Sequence, residues 1–334
     1  MAPFRVSRRA LFAAPLVAVP GAASGLSPRA AAAAAPGDFG AFLAEVRRDA
    51  LAQGLRPQTV DFALRYARYL PRVVALDNKQ PERTLSFAEY LDKVVTPERI
   101  ANARRHLADN RLLLAGIIER YGVDAPVIVA LWGVETNFGK TTGTYWVVSA
   151  LATLGFEGRR GPYFRRELIA ALRILDEGDV RADRMLGSWA GAMGQCQFMP
   201  STFLHYAVDY DGSGRRDIWG DRADVLASIA NFITRLGWRR GESWGREVVL
   251  PEGFDMRYAG LETREPTAVW LGLGVRGGDG RALPAARTAS LVLPDGEGGP
   301  AYLVFDNFRT IMRWNKSTYF AAAVGTLADR MAAA

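Results

Sequence analysis

From Phe39 to about Tyr121 apolar residues return every three to four positions, as in Phe42 and Val46 and then Phe62, Leu64, Tyr66, Tyr69 and Leu70. That rhythm is helical, and Gly54, Pro71 and Pro81 cut it into short helices. Asp124 offers a helix cap, Pro126 suits a first turn, and the apolar run 127–132 carries the next helix towards a stop at Gly139. Further helices fit 163–176, 200–206 and 223–236. After Trp238 the texture changes: 246–250, 268–271, 289–293 and 301–305 are short, β-prone and separated by turns such as Gly277-Gly278-Asp279-Gly280. The last segment, 308–331, is helical again and is expected to return to the core. The reading is an α+β chain, mainly helical, with a helical subdomain at 36–121, a core at 122–245, a small β subdomain at 246–306 and a returning C-terminal helix at 307–334.

With 334 residues, 49% of them apolar, the chain can bury a substantial core, and its length suits two or three packed subdomains. Its first 35 residues read as an export signal: Arg5, Arg8 and Arg9 precede the apolar stretch 10–19, followed by small residues up to the alanine run 30–35. Ser7-Arg8-Arg9-Ala10-Leu11-Phe12 has the form of a twin-arginine signal, although a general secretory signal reads almost the same. No cysteine lies near that stretch to carry a lipid, and no later run reaches the ~18–20 apolar residues of a membrane span. Removing 1–35 takes away four arginines and no acid, so the formal charge falls from +7 to +3. No Lys/Arg run interleaved with aromatics marks a nucleic-acid module.

Two histidines, His106 and His205, and one cysteine, Cys196, exclude a disulfide framework, a Cys/His zinc cluster and a His-Glu-x-x-His motif. His106, among Arg104, Arg105 and Asp109, reads as solvated. Carboxylate, hydroxyl, amide and aromatic side chains are left for chemistry. Glu135 falls on one helical stripe with Ile128, Leu131 and Trp132, where partial desolvation would raise its pKa and let it hold a proton near neutrality. A glutamate satisfied by an arginine near a helix end fits the same spacing. The segment 188–201, Ser-Trp-Ala-Gly-Ala-Met-Gly-Gln-Cys-Gln-Phe-Met-Pro-Ser, packs small residues, amides and aromatics together. It reads either as a buried loop capping the next helix or as a sugar site, with amides for acetamido and hydroxyl groups and Trp189 as a flat apolar face.

Gly133-Val134-Glu135-Thr136-Asn137-Phe138-Gly139, with Gly191-Ala192-Met193-Gly194-Gln195-Cys196-Gln197-Phe198-Met199-Pro200-Ser201, resembles the membrane-bound lytic transglycosylase B family. The likeness extends from about Phe39 to Met331 and includes Leu76-Asp77-Asn78-Lys79-Gln80-Pro81 and Arg313-Trp314-Asn315-Lys316-Ser317. It implies a lysozyme-like core and a periplasmic, soluble enzyme. That enzyme would cleave the β-1,4 bond between N-acetylmuramic acid and N-acetylglucosamine in peptidoglycan, leaving 1,6-anhydromuramoyl ends. By the same resemblance Glu135 is the catalytic acid and base, and Ser188, Gln197, Tyr90, Tyr163, Asn315 and Trp314 line the substrate cleft. Arg159 and Arg160 suit the carboxylates of peptide stems. Phe232 and Trp314 stand where relatives carry tyrosine, so stacking survives there and hydroxyl contacts do not.

Asp209-Tyr210-Asp211-Gly212-Ser213-Gly214-Arg215-Arg216-Asp217 places oxygen side chains at loop positions 1, 3, 5 and 9 with glycine at 6, the opening of an EF-hand. Gly220 occupies the twelfth position, where the usual glutamate is missing, and a polar turn fits the residues as well as a metal loop. The resemblance favours structural calcium, closed by Asp224 with Asp221 as a nearer competitor. The expected ligands are Asp209, Asp211, Ser213, Arg215 and Asp224, with no organic cofactor.

Most glycoside hydrolases pair two carboxylates, and no second acid appears in 191–201. A one-carboxylate reaction assisted by the substrate's 2-acetamido group is therefore expected. A hydrolytic muramidase and a calcium-dependent, non-catalytic peptidoglycan-binding protein are the competing readings. The expected partners are peptidoglycan glycan strands and, at most, cell-wall synthesis complexes, engaged by a monomer.

Overall fold

A computed structural model describes residues 38–78, 85–157, 160–280, 282–284 and 287–333. The expected export signal at 1–35, the stretch Lys79-Gln80-Pro81 and Arg159 lie outside the described residues. In chain order come α1 (Phe39–Ala52), α2 (Pro57–Arg65), α3 (Pro71–Asn78), α4 (Phe87–Val94), α5 (Pro97–Asp109), α6 (Arg111–Tyr121) and α7 (Ala125–Thr136). Then follow β1 (Tyr145–Trp146), α8 (Val147–Glu157), α9 (Gly161–Glu177), β2 (Leu186–Gly187), α10 (Pro200–Tyr206) and α11 (Arg222–Arg235). The remainder is β3 (Gly245–Val249), β4 (Glu265–Pro266), α12 (Thr267–Gly272), β5 (Arg276–Gly277), β6 (Thr288–Val292), β7 (Ala301–Val304), α13 (Asp306–Trp314) and α14 (Thr318–Ala332). The mainly helical α+β expectation holds. Two compact units divide the described residues, one drawing on 85–134 and 229–333 and the other on 38–78 and 135–228.

The second of these, the loop unit, is built on α8 and α9. Val147 to Leu154 are all buried, so α8 is central, whereas α9 buries Phe164, Leu168, Leu172 and Leu175 and exposes Arg166. The linker before α3 is tied to α8 by two hydroxyls that accept backbone N–H groups, Ser149 from Arg68 at 3.0 Å and Thr153 from Leu70 at 3.0 Å. Phe39, Phe42, Tyr69 and Phe156 close one end with rings 5.5 to 6.4 Å apart.

The other, the sheet unit, holds a five-stranded antiparallel sheet in the order β4-β6-β7-β3-β5, with Gly245 opposite Val304 and Ser290 opposite Val304 on the other side. Trp270, Val275, Leu291, Leu303 and Phe305 form its core. The expected strand at 268–271 is instead the helix α12. Trp270 decides this. Its ring is fully buried and its indole N–H lies 3.1 Å from the Glu265 carbonyl and 3.2 Å from that of Ala289, so tertiary packing overrides the β-prone composition. The expected single helix at 308–331 is two: α13 ends at Trp314, and the Ser317 hydroxyl accepts the Phe320 N–H at 3.3 Å to cap α14.

Candidate active site and metal loop

Helix α7 has no stripe. Every residue from Val127 to Val134 is buried, so the helix is enclosed on all sides rather than amphipathic as its spacing suggested. Glu135 is the first half-buried position, one residue from the helix end. The helix stops at Thr136, short of the expected Gly139, because Asn137 (φ 50°), Phe138 (φ 60°) and Gly139 (φ 83°) all turn left-handed. Each non-glycine there costs about 1–2 kcal/mol, and such strain persists only where the surroundings over-determine it. Thr136 supplies that constraint: fully buried, its hydroxyl donates to the Gln195 carbonyl at 2.9 Å and accepts from Gly139 N–H at 3.1 Å. The end of α7 is thereby fastened to the segment 188–201.

That segment is held by its own backbone. Met193 and Phe198 exchange both N–H···O bonds, at 2.8 and 3.2 Å, Gln195 N–H reaches Ile218 O at 2.8 Å, and the Gln195 side-chain amide donates to Trp219 O at 2.9 Å. Gln197 lies at φ 51°, and its amide nitrogen donates to the carbonyls of Thr142 (3.1 Å) and Gly194 (3.0 Å). Two carbonyl partners fix the amide's orientation and leave Oε1 as the atom that can accept from a ligand. Ser188 Oγ accepts the Ala192 N–H at 3.1 Å, so its proton can be donated outward. Trp189 is half-buried in the same turn.

Tyr163 is half-buried, and desolvation, then the charge of Glu167 and a hydrogen bond to it, push its hydroxyl well above the usual tyrosine range. Glu167, 3% exposed, also accepts Ser201 N–H at 2.9 Å and Ser201 O–H at 2.7 Å. Sequence reasoning missed this buried carboxylate, which in an arginine-rich helix reads as solvated. Its partner, the serine at the start of α10, lies 34 positions on, so no local signal marked it. Arg160 pairs with the buried Asp77 at 3.1 Å, and its guanidinium lies 4.9 Å from the Phe164 ring centroid.

Tyr90, Asn315 and Trp314 belong to the sheet unit and are each half-buried there. Tyr90 on α4 packs its ring 5.7 Å from that of Tyr319. Asp295 accepts the N–H groups of Phe87 and Ala88 at the start of α4 and the Tyr319 hydroxyl at 2.9 Å, so one side chain sets both rings. Trp314 lies 4.8 Å from Phe232, the two departures from the family tyrosines packed on each other. His106 is not solvated: it is half-buried with its ring 4.8 Å from Trp132, the enclosed α7 having drawn it in. His205 is exposed, with Nδ1 at 2.6 Å from Ser201 O. Cys196 is fully buried, and burial and then the charge of Glu135 push its thiol well up, which leaves it unreactive.

Asp209, Asp211 and Asp224 each bring a carboxylate oxygen within 4.8 Å of the others. Asp224 is fully buried and accepts the N–H groups of Tyr210 and Asp217, both at 2.7 Å. Its carboxyl is raised chiefly by desolvation, with Asp221 and Asp211 adding repulsion. Asp221 instead accepts the Asp224 N–H at 2.9 Å, and it is Asp224 whose carboxylate converges with those of Asp209 and Asp211. Asp217 turns back to the N–H groups of Trp219 and Gly220. Three hard oxygen donors, two on the turn and the desolvated one in the first turn of α11, fit a divalent cation.

A family model for the transglycosylase SLT domain matches residues 38–329. The chain is 32% identical over 304 residues to membrane-bound lytic murein transglycosylase B of Escherichia coli (strain K12), covering 84% of this chain and 80% of that protein. SltB3 from Pseudomonas aeruginosa in complex with NAG-NAM-pentapeptide aligns at TM-score 0.87 and 45% identity, over 90% of this chain and 81% of that one. The same enzyme with NAG-anhNAM-pentapeptide aligns at 0.86 and 46%, over 89% and 80%. The Escherichia coli lytic transglycosylase Slt35 in complex with calcium aligns at 0.74 and 30%, over 89% and 93%.

Proposed function

The chain belongs to the transglycosylase SLT domain family, and from that footing we propose that Glu135 is the single catalytic acid and base of a peptidoglycan-cleaving lyase. The chain is a lytic murein transglycosylase: it cuts the β-1,4 bond between N-acetylmuramic acid and N-acetylglucosamine and leaves 1,6-anhydromuramoyl ends. Glu135 gives its proton to the glycosidic oxygen while the substrate's 2-acetamido group supports the charge developing at C1. The resulting carboxylate takes the proton of the C6 hydroxyl, O6 closes on C1, and no water is consumed. Gln197 Oε1 accepts the acetamido N–H and Ser188 O–H donates to its carbonyl, a positioning role. By the family resemblance Tyr163 in the loop unit, and Tyr90, Asn315 and Trp314 in the sheet unit, are substrate contacts, and Arg159 and Arg160 are the cations suited to peptide-stem carboxylates.

The observation that supports this best is the clamp at Thr136, where a strained left-handed turn holds a half-buried carboxylate against the amide-bearing segment 188–201. Mass spectrometry of digested peptidoglycan is the test. Anhydro ends are expected from the parent, and reducing muramic ends would replace this reading with a hydrolytic muramidase. Glu135→Gln is expected to lower turnover about a thousandfold with an unchanged melting temperature. Equal clearing of wall suspensions by variant and parent removes Glu135 from the mechanism.

A structural calcium ion belongs to the same reading. Asp209, Asp211 and Asp224 would hold it with the Ser213 hydroxyl and the Arg215 backbone carbonyl, and its role is to pin the loop between α10 and α11. The protein works in the periplasm after export through the signal at 1–35. No described helix is long and apolar enough to cross a membrane.

A further inference from the structure

The loop unit carries three aromatic side chains that the reaction does not use. Strand β1 pairs with β2 so that Trp146 faces Leu186 and Tyr145 faces Gly187, and Ser188 is the next residue along β2. Trp146 is fixed by its indole N–H, which donates to Ala182 O at 2.5 Å. Its ring lies 6.1 Å from that of Tyr66, and Tyr66 lies 5.2 Å from Phe62. Phe62 on the outer face of α2 and Tyr66, the residue that ends the helix, are one turn apart, and the inner face buries Val60, Ala63 and Leu64. They are 51% and 41% exposed, an unusual state for two adjoining aromatics. Phe62 also lines a cavity of about 680 Å³, together with Arg181 and Arg215. Arg181 is paired with Asp183 at 3.0 Å, whereas Arg215 is exposed with no ion pair to any described residue.

We propose that Trp146, Tyr66, Phe62 and this cavity form an outlying subsite for the glycan strand, beyond the sugars on either side of the scissile bond. This rests on the peptidoglycan reading above. Continuity argues for the occupant: the strip begins at the strand that delivers Ser188 and leads from it to the cavity. Its chemistry also fits. Aromatic faces suit the apolar faces of successive sugar rings, and the cavity's excess of arginine over aspartate suits a peptide-stem carboxylate. A strand long enough to reach the strip is held more tightly, and a short one gains nothing from it.

The test compares long uncrosslinked glycan strands with a peptide-bearing tetrasaccharide, using the full-length parent and the double variant Phe62→Ser, Tyr66→Ser. On long strands the variant is expected to show a KM raised about tenfold with kcat unchanged. On the tetrasaccharide both are expected to match. The melting temperature should hold, since both side chains are exposed. Unchanged KM on long strands, or an equal loss on both substrates, overturns the subsite. A parent that cleaves neither substrate overturns the peptidoglycan reading and the subsite with it, so the two failures are distinct. Arg181→Ala is expected to raise KM about threefold on stem-bearing strands and to leave stem-free strands unaffected; equal effects on the two overturn the stem contact.

Discussion

The segment 188–201 and the loop 209–217 are both glycine-bearing turns, yet their glycines are there for different reasons. At Gly194 a Cβ would lie 2.6 Å from the Ile218 carbonyl oxygen, and at Gly139, on the facing turn after α7, it would collide with the Gln195 amide. A Cβ added at Gly212 or Gly214 would meet nothing within 4 Å, and only their left-handed φ, 77° and 85°, favours glycine. The segment 188–201 is therefore locked by close backbone packing. The acidic loop is held by Asp209, whose oxygens accept the N–H groups of Gly212, Ser213 and Gly214, and it stays open to solvent. A site that must hold a carboxylate against a developing charge needs the first kind of rigidity. A loop of the second kind would gain its rigidity from the proposed calcium ion.

Gly194→Ala should break the first region outright. A forced left-handed alanine plus the clash with Ile218 is expected to cost about 4 kcal/mol, read as a large fall in melting temperature with loss of activity. A variant as stable and active as the parent would refute close packing as the lock. Chelation with EGTA addresses the second region: calcium at a hundredfold excess over Kd is expected to contribute about 2.7 kcal/mol, recovered on adding the ion back. A melting temperature indifferent to chelation removes the ion from the loop. Thr136→Val leaves the Gly139 N–H and Gln195 carbonyl unsatisfied and is expected to cost about 2 kcal/mol with reduced turnover. Thr136→Ser should restore both, and failure to do so would assign the effect to the methyl group rather than the hydroxyl. The smallest effect is expected for Gly214→Ala, about 1 kcal/mol with full activity, because only φ opposes it. A loss as large as that at Gly194 would erase the distinction.

Much of this was legible beforehand. The helices at 163–176, 200–206 and 223–236 were recoverable because periodicity, with a leading proline at the first two, acts within a few residues. Gly139 was visible as a helix stop, but the left-handed Asn137 and Phe138 ahead of it were not, because their strain is sustained by Gln195, more than fifty positions away. The 268–271 segment misled because a β-prone run can close as a helix once Trp270 is buried under the sheet. Glu167 was passed over for a similar reason: its partner Ser201 lies 34 positions on.

The amino-acid sequence by itself determined where helices begin, which chemistries the rare histidines and single cysteine rule out, and which turns carry glycine with amides or carboxylates. Those properties depend on residue type and near neighbours. Only the tertiary structure decided which carboxylates are taken out of water, as Glu167 and Asp224 are, and which aromatics, Phe62 and Tyr66 among them, are left facing it. Desolvation is a property of everything packed around a group, and that packing comes from parts of the chain no local pattern connects.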